Sequence, residues 1–568
     1  MTRKTVRLTA ALVAAVFLWF LATLPPRPAV ASGTVAEAIR ARTVAGAFHV
    51  HSTRSDGSGD RDAIAAAAAR TGLRFVVITD HGDATRPPDP PAYIHGVLCI
   101  DAVEISTNGG HLIALDMPAA PYPLGGEAGA VVEDVMRLGG MPVAAHPDSA
   151  KAELAWRDWT APVSGLEWLN LDSAWRDDSR TRLARVAFDS LVRPGPALAS
   201  LLDRPSTALA RWDQIAATRG MVGLAGHDAH GGVARRSEEG SQWGVPGVPS
   251  FGLASYDASF ATFAVRAVLD EGLTGDAAGD ARRLLDAVRA GRLFTAIDAV
   301  AGPAWVDYHA AIGATERGMG EVLAFGEGAA LTFRSTLPPG AAAVLLRDGV
   351  EVAQSGTGEL RFGAAVPGAY RVEVRSPRWP VPWIVTNPIY LRRVEPSTTG
   401  AAQAEPVPAG STVLQLDDPG RVEKDPASTG ELASDGVTRT LAFRLRAEDR
   451  ASQYAAIAIP LPQRLPRFDR IVFTGRSSAP MRVSVQVRFD RAAGARWIRS
   501  VYLATDARQI VVPVAGLVSA DLPQLTQPPP FESASSLLFV VDLTNASPGQ
   551  QGRFEISDLR LATTLPAR

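Results

Sequence analysis

The sequence predicts a parallel β/α domain followed by two β-sandwiches. Residues 44–313 alternate short β-rich runs with helical patterns. After about residue 320 the runs become short and β-branched, with Pro-Gly and Asp-Gly turns between them, and residues 396–411 are rich in Pro, Ala, Ser and Thr. Alternation of strand and helix argues for βαβ units, closely spaced strands argue for sandwiches, and the biased stretch argues for a linker. A chain of 568 residues also exceeds one ordinary core and suggests about three domains.

Composition is that of a globular protein, with 46% hydrophobic and 20% charged residues. The net charge of −2 supplies no broad basic field for a polyanion, so there is no strong nucleic-acid signal. The single cysteine, Cys99, cannot form an internal disulfide and sits in the apolar run Val97-Leu98-Cys99-Ile100, where it reads as a small core hydrophobe.

The first segment reads as an address. Arg3, Lys4 and Arg7 precede an uncharged apolar run over 8–24, Pro25 and Pro26 end it, and Ala29-Val30-Ala31 offers a small-x-small cleavage site before Ser32. The run is also nearly long enough to span a bilayer. Residues 1–31 are therefore a signal peptide or an uncleaved anchor, and both place the body outside the cytoplasm, in the periplasm or beyond it.

Each following element has its own signal. Residues 48–51 form a strand, and 60–71 an Ala-rich helix stopped by Gly72. Residues 73–79 and 97–105 are buried strands, and 111–115 continue the sheet. A helix over 128–138 ends at Gly139-Gly140, and strands follow at 142–145, 163–169 and 221–226. Residues 152–218 pause the rhythm and hold Trp156, Trp159, Trp168, Trp175 and Trp212, expected mainly to pack. An amphipathic helix over 281–290 closes the region. The expected bounds are 44–315 for the β/α domain, 320–395 for a small Ig-like sandwich, 396–411 for the linker and 412–565 for a jelly-roll, galactose-binding-like sandwich.

Chemistry concentrates at predicted strand ends. His49 and His51 lie two apart, so on an extended strand they share a face while Phe48 and Val50 pack the other way. Asp56 follows in the turn Ser55-Asp56-Gly57, and the next strand ends Thr79-Asp80-His81. Glu104 ends the third, His111 opens the fourth, His146 ends the fifth, and Asp228 and His230 end the last. Seven of nine histidines fall in these stretches, six of them as candidate ligands. Imidazoles with carboxylates suit Zn, Mn or Fe, and the ligands are too many for one tetrahedral ion. A multinuclear centre follows, with Glu104 free to bridge.

These ordered motifs resemble the PHP family, the polymerase and histidinol phosphatase superfamily, over about half the chain. The resemblance implies a distorted (β/α)7 barrel with two or three divalent ions. It places one ion on His49, His51, Glu104 and Asp228, a second on Glu104, His111 and His146, and a third on Asp56, His81 and His230. Residues 208–232, the turn Pro249-Ser250-Phe251 and the helix over 284–294 are similar to exported members of the carbaryl-hydrolase-like branch. One departure is His227, where many relatives have Ser; it is expected to face away from Asp228 in a structural role. Asp80 is expected either to orient a ligand or to form the turn, and Glu167 to support the site or the core. His95 and His309 receive no role.

The expected function is an exported metal-dependent hydrolase, first a phosphoesterase for a phosphomonoester, nucleotide or short oligonucleotide. Two neighbouring ions activate water and neutralise charge on phosphoryl oxygens. Arg54, Asp56 and Glu104 are the candidate catalytic residues, with Arg54 placed to meet a phosphate and Arg235 and Arg236 as further candidates. Two alternatives stand beside this one. The same centre could cleave a carboxyl or carbamate ester, which a Trp-rich site without an inward arginine would favour. Or the barrel is inert and the C-terminal sandwich holds glycan or envelope, an analogy of fold alone.

Overall fold

The computed structural model describes residues 5, 18, 20–176, 178–232, 254–393, 412–448, 453–489, 495–520 and 530–563. Two compact units emerge: residues 1–82, 88–118 and 135–395 form the first, and residues 83–87, 119–134 and 396–568 the second. The linker stretch 396–411, Arg235, Arg236 and the turn Pro249-Ser250-Phe251 lie outside the described residues.

Up to residue 296 the first unit is laid out by twelve strands among the described residues: β1 Ala29–Val30, β2 Thr43–Val50, β3 Phe75–Ile78, β4 Ala92–Ile94, β5 Val97–Asp101, β6 Val103–Thr107, β7 Gly110–Leu115, β8 Met141–Ala144, β9 Gly165–Asn170, β10 Val222–Gly226, β11 Ala264–Val268 and β12 Leu293–Ala296. One sheet has the order β10-β9-β8-β7-β6, and another contains β12-β11-β2-β3-β5-β4. Isolated bridges join the two sheets at both edges, Val50 with Ala229 and His81 with Glu104. Strands β2, β3, β6, β7, β8, β9 and β10 therefore follow one another around a common end.

The single strand expected over 97–105 is two strands that break at Ala102 and enter different sheets. The sheets are also mixed. β2–β3, β8–β9 and β9–β10 are parallel, but β6–β7 and β7–β8 are antiparallel. The reason is local: only Asn108 and Gly109 separate β6 from β7, and a two-residue connection permits a hairpin but no crossover.

The helices follow their signals. Asp60 caps Arg61–Arg70 by accepting from the Ala63 N–H, and Gly72 beyond its end has φ +80°. Asp276 caps Ala277–Arg289 in the same way. Ala-rich Arg61–Arg70 buries Ile64, Ala65, Ala67 and Ala68, and small side chains let it lie close to the β2–β3–β5 face. Cys99 is buried there, as expected.

The small sandwich belongs to the same unit. One layer has the order Thr315–Gly318, Val306–Ile312, Ala330–Ser335, Glu359–Gly363. The other continues the sheet that contains β12, because Ile384–Thr386 pairs with β12.

The second unit is a sandwich of two antiparallel sheets. Gln551–Thr563 is central in one, between Thr438–Arg444 and Arg470–Ser477. The other runs Arg421–Lys424, Tyr454–Pro460, Ser536–Asp542, Met481–Phe489, Ala495–Leu503, Val518–Ser519. Alternate residues such as Leu441, Ile457, Val485, Phe539 and Phe554 fill the core between them. Residues 119–134 pack on this unit: the Ser500 N–H donates to Glu127 Oε1 at 2.7 Å, and Arg482 Nε donates to Asp134 Oδ2 at 2.7 Å. Trp497 is buried and Tyr502 half-buried.

Candidate metal centre

All nine expected ligands come to one place, where β2, β3, β6, β7, β8 and β10 end or begin. Glu104 is at the centre. Its Oε1 lies 2.9 Å from His111 Nδ1 and 2.8 Å from His146 Nε2. Its Oε2 lies 3.2 Å from His49 Nε2 and 3.3 Å from both His51 Nε2 and His81 Nδ1. Asp228 Oδ1 stands 3.4 Å from His49 Nε2 and 3.2 Å from His51 Nε2. Asp56 Oδ2 stands 3.3 Å from His230 Nε2 and 3.7 Å from His81 Nε2.

Donor atoms close enough to share an ion fall into four groups: His49, His51 and Glu104; His49, His146 and Asp228; His51, Asp56 and His230; His81, Glu104 and His111. Three of the expected first set, His49, His51 and Glu104, are thus together, while Asp228 falls with His49 and His146. The other two are partitioned differently, with His146 grouped with His49 and Asp228, and His81 with Glu104 and His111.

The backbone brings the ligands together by a different route from the one the alternation implies. His49, His146 and Asp228 have φ of +62°, +28° and +49°, and β2 slips register against β3 between Ala47 and Val50. His49 and His51 do converge, Nε2 to Nε2 at 3.1 Å, but through a left-handed residue rather than a flat strand. Non-glycine residues held there cost about 1–3 kcal/mol each and collect at functional sites.

Supporting contacts set the imidazole tautomers. Glu167 is fully buried, and its Oε1 lies 2.7 Å from His49 Nδ1. An ionised carboxylate only accepts, so His49 donates from Nδ1 and keeps the Nε2 lone pair for the cluster. Glu167 Oε2 accepts from the His146 N–H at 2.7 Å and from Asn170 Nδ2 at 2.9 Å. Gly226 makes room for it: a Cβ there would lie 1.7 Å from Glu167 Oε1. His230 Nδ1 donates to the Asp228 carbonyl at 2.8 Å, which turns its Nε2 toward Asp56.

Asp80 proves to be the turn former. It accepts from Ser52 N at 2.7 Å, Ser52 Oγ at 2.6 Å and Ser55 Oγ at 2.8 Å, fixing the loop that carries Asp56. His227 stacks on Phe263 at 4.2 Å with its ring nitrogens near the Phe48 and Phe263 carbonyls, and burial lowers its pKa to about 4. It is structural.

Arg54 is not aimed at the cluster. Its guanidinium pairs with Asp89 and reaches Asp101 Oδ1 at 3.4 Å, because two acids from a separate loop and strand compete for it. His95 pairs with Asp62 and His309 with Asp307.

Electrostatics in the cluster are extreme. Burial works against charge on His49 and His51, yet Asp228, Glu104 and their acidic neighbours outweigh it and raise both pKa values well above 6.5. Burial likewise opposes ionisation of Glu104, but the surrounding histidines hold it well below the usual carboxylate range. At His81 burial, helped by the neighbouring His51 and His111, outweighs Glu104 and Asp56 and lowers the pKa to about 4. The buried Nδ1 of His81 has Glu104 Oε2 at 3.3 Å, and His146 meets Glu104 through Nε2 while its buried Nδ1 has no hydrogen-bond partner. Convergent imidazoles around a central carboxylate fit divalent ions of the Zn, Mn or Fe kind.

A small pocket of about 20 Å³ opens beside Asp228 and His230, walled in part by Leu171, Trp175, Leu198 and Leu201. Asp172 lies in it, accepting from Trp175 Nε1 at 3.0 Å and pairing with Arg176. Trp156, Trp168 and Trp212 are core residues.

No known family matches the chain, and no curated protein does. Solved structures similar to part of it include a family 11 carbohydrate-binding module from Clostridium thermocellum in complex with a β-1,3-1,4-mixed-linked tetrasaccharide. It is 12% identical, covers 27% of this chain and 98% of its own, and has a TM-score of 0.22. A family 29 carbohydrate-binding module complexed with mannohexaose is 12% identical, covers 27% and 92%, and has a TM-score of 0.19. Likeness this low says nothing about what the present chain binds.

Proposed function

We propose that the protein is a metal-dependent hydrolase of PHP type, acting on phosphate esters, with the strand ring as its distorted (β/α)7 barrel. The observation that carries this reading is Glu104, whose two oxygens face five imidazoles within 3.3 Å. His49, His51, Asp56, His81, Glu104, His111, His146, Asp228 and His230 would hold two or three divalent ions. When bound, such ions activate water and neutralise charge on the substrate's oxygens. Glu167 and the Asp228 carbonyl keep His49 and His230 in their ligating tautomers, and Asp80 holds the turn that presents Asp56.

A second reading, cleavage of a carboxyl or carbamate ester, draws support from the pocket. Its walls include Leu171, Trp175, Leu198 and Leu201, Arg176 is paired with Asp172, and Arg54 is engaged elsewhere. Metal analysis of the purified full chain with a panel of p-nitrophenyl phosphate, bis-phosphate, acetate and carbamate tests both. Turnover of phosphate esters alone selects the first reading, and turnover of acetate or carbamate alone selects the second. No metal and no turnover, with glycan binding retained, would select the binding-protein alternative and overturn both.

A further inference from the structure

Glu167 meets His49 through one oxygen, 2.7 Å from Nδ1, and Asn170 through the other. The strand that carries Glu167, β9, ends at Asn170, and the Asn170 amide bonds in two directions. Its Nδ2 donates to Glu167 Oε2 at 2.9 Å, and its Oδ1 accepts from the Ser173 N–H at 2.9 Å. A carboxylate only accepts and an N–H only donates, so these partners leave the amide one orientation. Asn suits the place because its short side chain reaches a backbone N–H three residues on and closes a turn there.

That turn, a single 3₁₀ turn over Ser173–Trp175, belongs to the wall of the pocket beside Asp228 and His230, which Leu171, Asp172 and Trp175 line. Trp175 Nε1 donates to Asp172 Oδ1 at 3.0 Å, Arg176 pairs with Asp172, and the Arg176 guanidinium lies over the Trp175 ring at 5.1 Å. The Leu171 N–H donates to the Gly226 carbonyl at 3.0 Å, which fixes the start of the turn beside the strand end that leads to Asp228. Glu167, Asn170 and Asp172 are all buried. Away from water, hydrogen bonds in series polarise and strengthen one another. A continuous line thus runs from His49 through Glu167 and Asn170 to Ser173, one bond per step.

We propose that Asn170 is a positioning residue that links the metal cluster to the pocket wall, so that divalent ions held at His49 tighten the turn over 171–176, a link that presumes the metal-dependent hydrolase reading. With His49 Nε2 engaged by a cation, its Nδ1–H is a stronger donor to Glu167. Glu167 is then held more firmly, and Asn170 and the Ser173 N–H with it. Linkage makes the effect reciprocal: a turn held by Asn170 favours the ion by the same factor.

Hydrogen exchange read by mass spectrometry on the full chain tests the link, in peptides spanning 171–176, with and without Zn or Mn. In the wild type, metal is expected to slow exchange in the turn by about fivefold, the factor that one net hydrogen bond is worth. Asn170→Ala should lose that slowing. Glu167→Gln keeps an acceptor for Asn170 but loses the one for His49, so it should lose the slowing as well at saturating metal, and it serves if Asn170→Ala fails to fold. Metal content is measured in the same samples. Slowing that survives either substitution would mean that the pocket responds through Asp228 and His230 instead, and would overturn the role of Asn170. Metal bound with no slowing in the wild type would overturn the link and leave the hydrolase reading standing. A wild-type chain that takes up no metal overturns both.

Discussion

Both units bury charge, and they do so differently. In the second unit Arg482 is 2% exposed and fully partnered: Asp134 takes two of its bonds, Glu133 one, and the Ala130 and Ser500 carbonyls one each. In the first, six imidazoles and three carboxylates converge, with donor atoms grouped closely enough to share ions. A finished buried pair specifies a fold, whereas an unfinished cluster this dense calls for a ligand.

The sharpest way to break that contrast is to neutralise its centre. Glu104→Gln removes the charge shared by five imidazoles, and hydrolysis by the full chain is expected to fall by about 100-fold or more, the scale on which a single preorganised electrostatic contact acts. Steady-state kinetics with the responsive ester check it.

Arg482→Met removes the guanidinium that faces the buried Asp134 carboxylate, and is expected to cost about 3–5 kcal/mol in denaturant unfolding. Adding Asp134→Leu should recover most of that loss. No pair of apolar replacements in the strand-end cluster should restore activity.

Glu167→Gln keeps the shape but loses the acceptor that holds His49 Nδ1–H. Metal affinity, read by competition with a chromogenic chelator, should weaken by about 10–100-fold. The fold should survive, since Gln can still accept from the His146 N–H.

Acidity should separate metal-free from metal-loaded protein. The raised imidazoles, His49 and His51, stabilise the metal-free chain fully below their unfolded pKa of about 6.5, and that contribution is lost as pH rises through the folded values. The depressed carboxylates Glu104 and Asp228 contribute fully above about pH 4, and lose it as pH falls through their folded values. Metal competes with the imidazole protons, so its affinity rises with pH. The Tm gain on adding Zn or Mn should therefore be larger at pH 8 than at pH 6, by differential scanning calorimetry.

The smallest effect is expected at Arg54. Its side chain is 41% exposed and paired with Asp89, so Arg54→Ala should cost less than about 1 kcal/mol. It should also change kcat/KM by less than about threefold. A larger loss on phosphate esters would return Arg54 to the site.

The cluster was legible because histidines and acids stood where β-rich runs ended, a pattern that needs only residue type and order. The left-handed backbone at His49, His146 and Asp228 was not, because alternation assumes a regular strand and the slip between β2 and β3 comes from pairing. Glu167 did carry a signal, a lone acid in the apolar run Leu166-Glu167-Trp168, but its partners lie 118 residues upstream at His49 and 21 upstream at His146. Arg54 read as a phosphate contact because Asp89 and Asp101 meet it only in three dimensions. The packing of residues 119–134 on the C-terminal sandwich left no mark either: Asp134 sits in an ordinary amphipathic helix, and its partner Arg482 is 348 residues away.

The central claim is that the cluster around Glu104 is completed by divalent ions. Inductively coupled plasma mass spectrometry of the full chain, purified without chelator, tests it most directly. The expected result is about two or three Zn, Mn or Fe ions per chain, falling in Glu104→Gln while circular dichroism is unchanged. Folded protein that stays metal-free after incubation with each ion would contradict it.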